Sequence, residues 1–170
     1  MIEMRVMGIA LDTRTGSPIV VLHDKDNRKA LPIWIGSAEA SAIIRKIENL
    51  IVARPMTHDL FLQIFEKTGH RLDRVEICDV EKDTYFAKLV LVNEETGDES
   101  EIDSRPSDAI AIAMRADAPI LVAAKVLATG SVSTDTAKDE EESEEFRDFI
   151  QNVKPSDFAK MLKDFPDSDQ

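Results

Sequence analysis

Two short passages concentrate the residue types that handle phosphate and protons. "VARPMTHDLF" at 52 to 61 brings Arg54, Thr57, His58 and Asp59 together just ahead of an apolar run. "DSRPSDAIAI" at 103 to 112 repeats the order with Asp103, Arg105, a proline, Ser107 and Asp108, again followed by apolar residues. Arginine presents a planar fork suited to phosphate or carboxylate. Imidazole exchanges a proton near neutral pH. Carboxylates can hold a divalent cation through oxygen, as phosphodiester hydrolysis often requires.

Each passage has an architectural and a functional reading. In the first, Thr57 and Ser107 are helix N-caps, Asp59 and Asp108 sit in first turns where a carboxylate favours the positive helix end, and Pro55 and Pro106 fix the backbone at helix entrances. That reading explains the cations less well, because the same helix end repels them. Arg54 and Arg105 therefore call for partners: either a structural carboxylate, with Asp59, Asp103 and Asp108 as candidates, or a ligand phosphate. In the functional reading the two helix starts face one pocket. Their N–H groups, with Arg54, Thr57, Arg105 and Ser107, form a phosphate seat. His58 then acts as general base or acid with a carboxylate to orient it, or Asp59, Asp103 and Asp108 bind a metal ion. The chain contains no P-loop, zinc motif or serine elbow.

The surrounding elements alternate in type. Ile2, Met4 and Val6 alternate with Glu3 and Arg5 as in a half-buried strand, and further strands are expected at "PIVVLH" and "ALPIWIG", where Pro32 marks an edge or bulge. From Ser37, taken as an N-cap, the residues Ile43, Ile44, Ile47, Leu50 and Ile51 fall on one helical face, and Glu39 lies in the first turn. A second helix is expected from Thr57, burying Leu60, Phe61, Ile64 and Phe65 and stopping at Gly69. "DRVEICDV" and "TYFAKLVLVN" read as a hairpin across "EKD", with "EIDS" next to them. A third helix from Pro106 or Ser107 carries Ile110, Ala111 and Met114, and "APILVAAKVLA" at 118 to 128 reads as a strand. The fold class is α+β: a mostly antiparallel sheet with inserted helices and a helical C-terminal arm. The expected divisions are a domain over 1–130, an acidic linker over 131–145, and the arm over 146–165.

Composition narrows the partners. The net charge of −12 is unevenly spread. Residues 135–170 hold 12 acids and 5 bases (−7), and residues 1–134 hold 21 acids and 16 bases (−5). An acidic body counts against broad electrostatic capture of nucleic acid, though not against a local basic patch. One cysteine, Cys78, excludes an internal disulfide framework. The absence of a long apolar run or signal-peptide layout points to a cytoplasmic protein with no membrane partner.

The segments "LPIWIGSAEASAI", "RPMTHDL" and "DSRPSDAIAIAMRADAPILVAAKV", in this order and separation, resemble the bifunctional nuclease domain family. The resemblance covers roughly residues 1–130, and "EFRDFIQNVKPSDFAKML" is similar to the helical ending of bacterial members. The family-like positions are Glu39, Arg54, Pro55, Thr57, His58, Asp59, Asp103, Ser104, Arg105, Pro106, Ser107 and Asp108. The resemblance implies an α+β domain that associates into homo-oligomers, dimers or larger, and cleaves both DNA and RNA. Under that implication His58, Asp59, Arg54, Arg105 and Asp108 are the candidate catalytic residues, and Asp59, Asp103 and Asp108 the candidate ligands of Mg2+ or Mn2+. The alternative is a non-catalytic oligomeric protein that binds a partner or small anion, with the arginines held in buried pairs with acids.

Overall fold

A computed structural model describes residues 1–133. Eight strands form one sheet: β1 (Ile2–Leu11), β2 (Pro18–Asp24), β3 (Lys29–Trp34), β4 (His70–Glu81), β5 (Thr84–Asn93), β6 (Glu99–Ser104), β7 (Ile120–Val122) and β8 (Val132–Ser133). Their order across the sheet is β6-β5-β4-β7-β1-β2-β3-β8. Every neighbouring pair is antiparallel except β4 with β7. Four helices complete the described chain: α1 (Ser37–Ile47), α2 (Thr57–Lys67), α3 (Pro106–Ala116) and α4 (Ala124–Gly130). The architecture is α+β.

Local chemistry sets the turns. Lys82 and Asp83 both have positive φ, 47° and 65°, so β4 and β5 join through a two-residue turn whose twist matches the strands. Asp12 Oδ1 accepts the N–H groups of Arg14 and Thr15, and its other oxygen accepts Trp34 Nε1 at 3.1 Å, which ties the β1–β2 turn to β3. Pro32 lies opposite Val21, while β8 reaches only Lys29 and Ala30. Pro32 thus occupies open edge, as its missing donor requires.

The helix α3 organises the core. Pro106, Ser107 and the run Ala109 to Ala113 are all buried. A helix buried nearly all round belongs between other elements, and α3 packs on α1, α2, β4 and β5. Its alanines let α1 and α2 approach closely. Ile110 is fully buried, within one cluster that includes Ile43, Phe65, Val75 and Leu89.

Several expectations need correction. The first helix ends at Ile47, because Asn49 turns left-handed (φ 50°) and Leu50 N–H bonds back to Arg45 O at 2.9 Å. Ile47, Leu50 and Ile51 are therefore exposed rather than buried, Ile51 to 98%. On α2 only Phe65 is buried, and Leu60, Phe61 and Ile64 face outward. The run at 118–128 is not one strand: β7 covers three residues and the chain then turns into α4, burying Val126 and Leu127. A continuous apolar run does not by itself separate buried strand from buried helix. Val132 and Ser133, at the start of the expected linker, pair with β3, and the expected arm at 146–165 lies outside the described residues.

Candidate active site

The starts of three helices meet at one place, and each carries an acid at its third position: Glu39 on α1, Asp59 on α2 and Asp108 on α3. The N-cap positions are Gly36, Met56 and Arg105, without side-chain capping bonds from any of them. Ser37, Thr57 and Ser107 are thus inside their helices rather than capping them. A carboxylate at the third position is well placed against the positive helix end and can reach back to the cap. Asp59 does so: its Oδ2 accepts the Met56 N–H at 2.9 Å.

Asp108 is the hub. Its Oδ2 accepts Arg105 Nε at 2.7 Å, and its Oδ1 lies 3.1 Å from His58 Nε2. The outer nitrogen of Arg105, Nη2, lies 2.8 Å from Glu39 Oε1. One chain of contacts, Glu39–Arg105–Asp108–His58, therefore links all three helices. The His58 side chain is 12% exposed, while that of Arg105 is 65% exposed. Burial pushes the Asp108 carboxyl up, but hydrogen bonds from Arg105 and His58 outweigh it and leave the group below the ordinary carboxylate range. Gly36 makes room for this arrangement, since a Cβ there would collide with the Glu39 carboxylate.

Asp59 turns to a residue that sequence reasoning passed over. Arg115, in the last turn of α3, donates from Nε to Asp59 Oδ1 at 2.6 Å, from Nη1 to Ala111 O at 2.9 Å and from Nη2 to Ala42 O at 3.0 Å. Its side chain is 8% exposed. This arginine ties α1, α2 and α3 together. Burial raises the Asp59 carboxyl, and the Met56 N–H and Arg115 together bring it below its usual range. The signal was present: Arg115 is a lone cation in the apolar run "AIAIAMRA", two helical turns from Asp108.

The remaining predicted residues are less engaged. Arg54 is exposed and has no ion-pair partner among the described residues. Neither arginine of the Arg-Pro passages is buried, so the expected buried pairs fall instead to Arg115. Thr57 is exposed and Ser107 buried. Asp103 is exposed on β6, opposite Lys88. Asp59, Asp103 and Asp108 do not gather, and among the described residues no group of three or more His, Cys, Asp or Glu side chains is placed to hold a metal ion. Glu39 and Asp108 are bridged by a guanidinium where a cation would have to sit. The donor set does not fit a resident Mg2+ or Mn2+.

In chemical terms the arrangement is an imidazole oriented by a carboxylate, beside an exposed guanidinium at converging helix starts. With Nε2–H donated to Asp108, the lone pair of Nδ1 is left to accept a proton. A model of the bifunctional nuclease domain matches residues 20–135. The chain belongs to the bifunctional nuclease domain family. An uncharacterized protein of Mycobacterium tuberculosis is 35% identical over 164 residues, covering 92% of this chain and 97% of its own length. Bifunctional nuclease 2 of Oryza sativa subsp. japonica is 33% identical over 109 residues, 62% of this chain and 33% of the plant protein. Bifunctional nuclease 1 of Arabidopsis thaliana is 30% identical over 129 residues, 69% of this chain and 39% of its own. The aligned region is thus a third or so of each plant relative. Among the described residues no helix is long and apolar enough to cross a membrane.

Proposed function

We propose that this protein hydrolyses phosphodiester bonds of DNA and RNA with little sequence preference. The observation that carries the reading is the Arg105–Asp108–His58 contact, an imidazole and an exposed guanidinium on one carboxylate at a cluster of helix starts. The family relationship to the plant bifunctional nucleases supports it.

In the proposed mechanism His58 takes a proton from water through Nδ1 while the water oxygen forms a bond to phosphorus. The bond to the leaving oxygen breaks, and the imidazolium returns the proton to that oxygen. Asp108 holds the ring and stabilises its charged form, so it is a positioning residue. Arg105 neutralises charge on the non-bridging oxygens as it develops. With His58 neutral, the cluster of Glu39, Asp108 and Arg105 carries net −1, so phosphate needs a further cation. Arg54 is exposed four residues ahead of His58 and supplies it in this reading. No step uses a metal ion.

One observation favours a second reading, a binding protein without catalysis: Arg105 already contacts two carboxylates. A cleavage assay separates the two. Labelled DNA and RNA strands are incubated with wild type and His58→Ala, each with Mg2+, Mn2+ or EDTA. The hydrolytic reading expects cleavage by wild type that persists in EDTA and falls about 100-fold or more in the variant, the usual contribution of a general base. Cleavage equal in both would remove His58 from the mechanism, and cleavage by neither would leave the binding reading standing.

A further inference from the structure

A second cluster of cations lies away from the Glu39–Arg105–Asp108–His58 chain and has no role in it. The end of α1, the loop after it and the start of α2 enclose a cleft of about 550 Å3. Its lining includes the cations Arg45 and Lys46 and the apolar side chains of Leu50, Val52, Met56 and Leu62. Arg115 and Asp59 also line it, and they neutralise each other. Arg45 and Lys46 have no acidic partner among the described residues, and Arg45 Nε is buried without a hydrogen-bond partner there. A buried guanidinium nitrogen left unpaired is costly. The uncompensated charge of the cleft is close to +2.

From this geometry we infer that the cleft is a binding site for a phosphomonoester, with Arg45 and Lys46 holding the phosphate and the apolar wall covering the organic group attached to it. A phosphomonoester carries roughly −1.5 to −2 at neutral pH, which matches the two free cations better than a carboxylate or a single phosphodiester does. Arginine beside a lysine supplies both a directional fork and a mobile point charge. Small-molecule sites combine an apolar lining with a few convergent polar groups in this manner. The exposed left-handed turn at Asn49 opens the cleft by sending Leu50 and Ile51 away from the core. The site does not depend on the hydrolytic reading: neither His58 nor Arg105 lines it.

Two sources share this chemistry, a free nucleotide and the phosphorylated end of a strand. The test is calorimetric titration of the full chain with adenosine monophosphate, inorganic phosphate, a short 5′-phosphorylated oligonucleotide and the same oligonucleotide without its terminal phosphate. Adenosine monophosphate should bind more tightly than inorganic phosphate. The variant R45Q/K46Q should lose about tenfold or more in affinity, the worth of one or two charge-assisted hydrogen bonds. R105Q and H58A should bind it as wild type does. Ile51→Glu adds a carboxylate at a side chain with no packing to lose, and should weaken binding even if R45Q/K46Q proves unstable. A preference for the phosphorylated oligonucleotide over both its unphosphorylated form and the mononucleotide assigns the site to a strand end. A preference for the mononucleotide assigns it to a free nucleotide. Unchanged affinity in R45Q/K46Q and Ile51→Glu, or no wild-type binding up to about 1 mM, would overturn the inference. Cleavage that fails while this binding persists would count against the hydrolytic reading alone.

Discussion

The two Arg-Pro passages look alike as text and differ in the folded chain. Both end in an acid at the third position of a helix, Asp59 on α2 and Asp108 on α3. The spacing from arginine to acid is five residues in the first and three in the second. Two extra residues between arginine and acid move Arg54 out of the helix start, whereas Arg105 is itself the cap residue. Hence Arg105 reaches Asp108, while Asp59 is free to accept the Met56 N–H and Arg115. The acid of the first passage became part of a joint between helices, and that of the second the centre of a polar cluster with His58 and the exposed Arg105. A shared motif thus fixes the position of the acid but not the partner it takes.

That contrast can be broken in order of expected effect. Cleavage should respond most: His58→Ala lowers it about 100-fold or more, read as turnover on labelled strands, whereas Arg105→Gln keeps the fold and loses cleavage through the phosphate. For stability the order reverses. Arg115→Ala leaves Asp59 without its cation and removes the side-chain donor from the Ala42 and Ala111 carbonyls. It should cost about 2–3 kcal/mol in urea unfolding, below the range for a fully buried pair because Asp59 is partly exposed. Arg105→Gln should cost less than about 1 kcal/mol, as exposed pairs do.

Acid should weaken both passages. The carboxyls of Asp59 and Asp108 lie below their ordinary range in the folded chain. A depressed carboxyl contributes stability above its unfolded value, and that contribution is lost as pH falls through the folded one. Unfolding midpoints should therefore drop on acidification below about pH 4, and Asp108→Asn should flatten the slope there. The smallest effect is expected from Arg54→Ala. Its stability should change by less than about 0.5 kcal/mol, while KM for a nucleic-acid strand rises a few-fold if Arg54 supplies the missing cation.

Much of the fold was legible because its signals are local. The alternation in β1, the polar "EKD" before β5 and Pro106 at the start of α3 each state their element directly. Burial was less legible. Leu60, Phe61 and Ile64 have the spacing of a core face, yet what covers a helix is decided by distant chain, and α3 meets α2 along another line. The site showed the same division. Its candidate residues could be named from their types, and His58, Arg105 and Asp108 do meet. Asp103 could not be separated from them, because only the sheet register places it on an exposed edge strand. Arg115 was hidden by its neighbours, since an arginine among alanines reads as the end of a helix rather than as a clamp.

The two margins of the sheet also bear on how copies of this molecule meet. An unpaired strand is a template for another chain, and natural sheets guard such margins with charge or brevity. Among the described residues β6 forms one margin and carries Glu99, held by Arg74, Glu101, held by Lys88, and Asp103, while β8 closes part of the other with only two residues before open β3. A second copy pairing with β6 would have to accommodate this row of charged side chains. Continuous sheet extension is thereby disfavoured, and the aggregation hazard of a wide sheet is kept low.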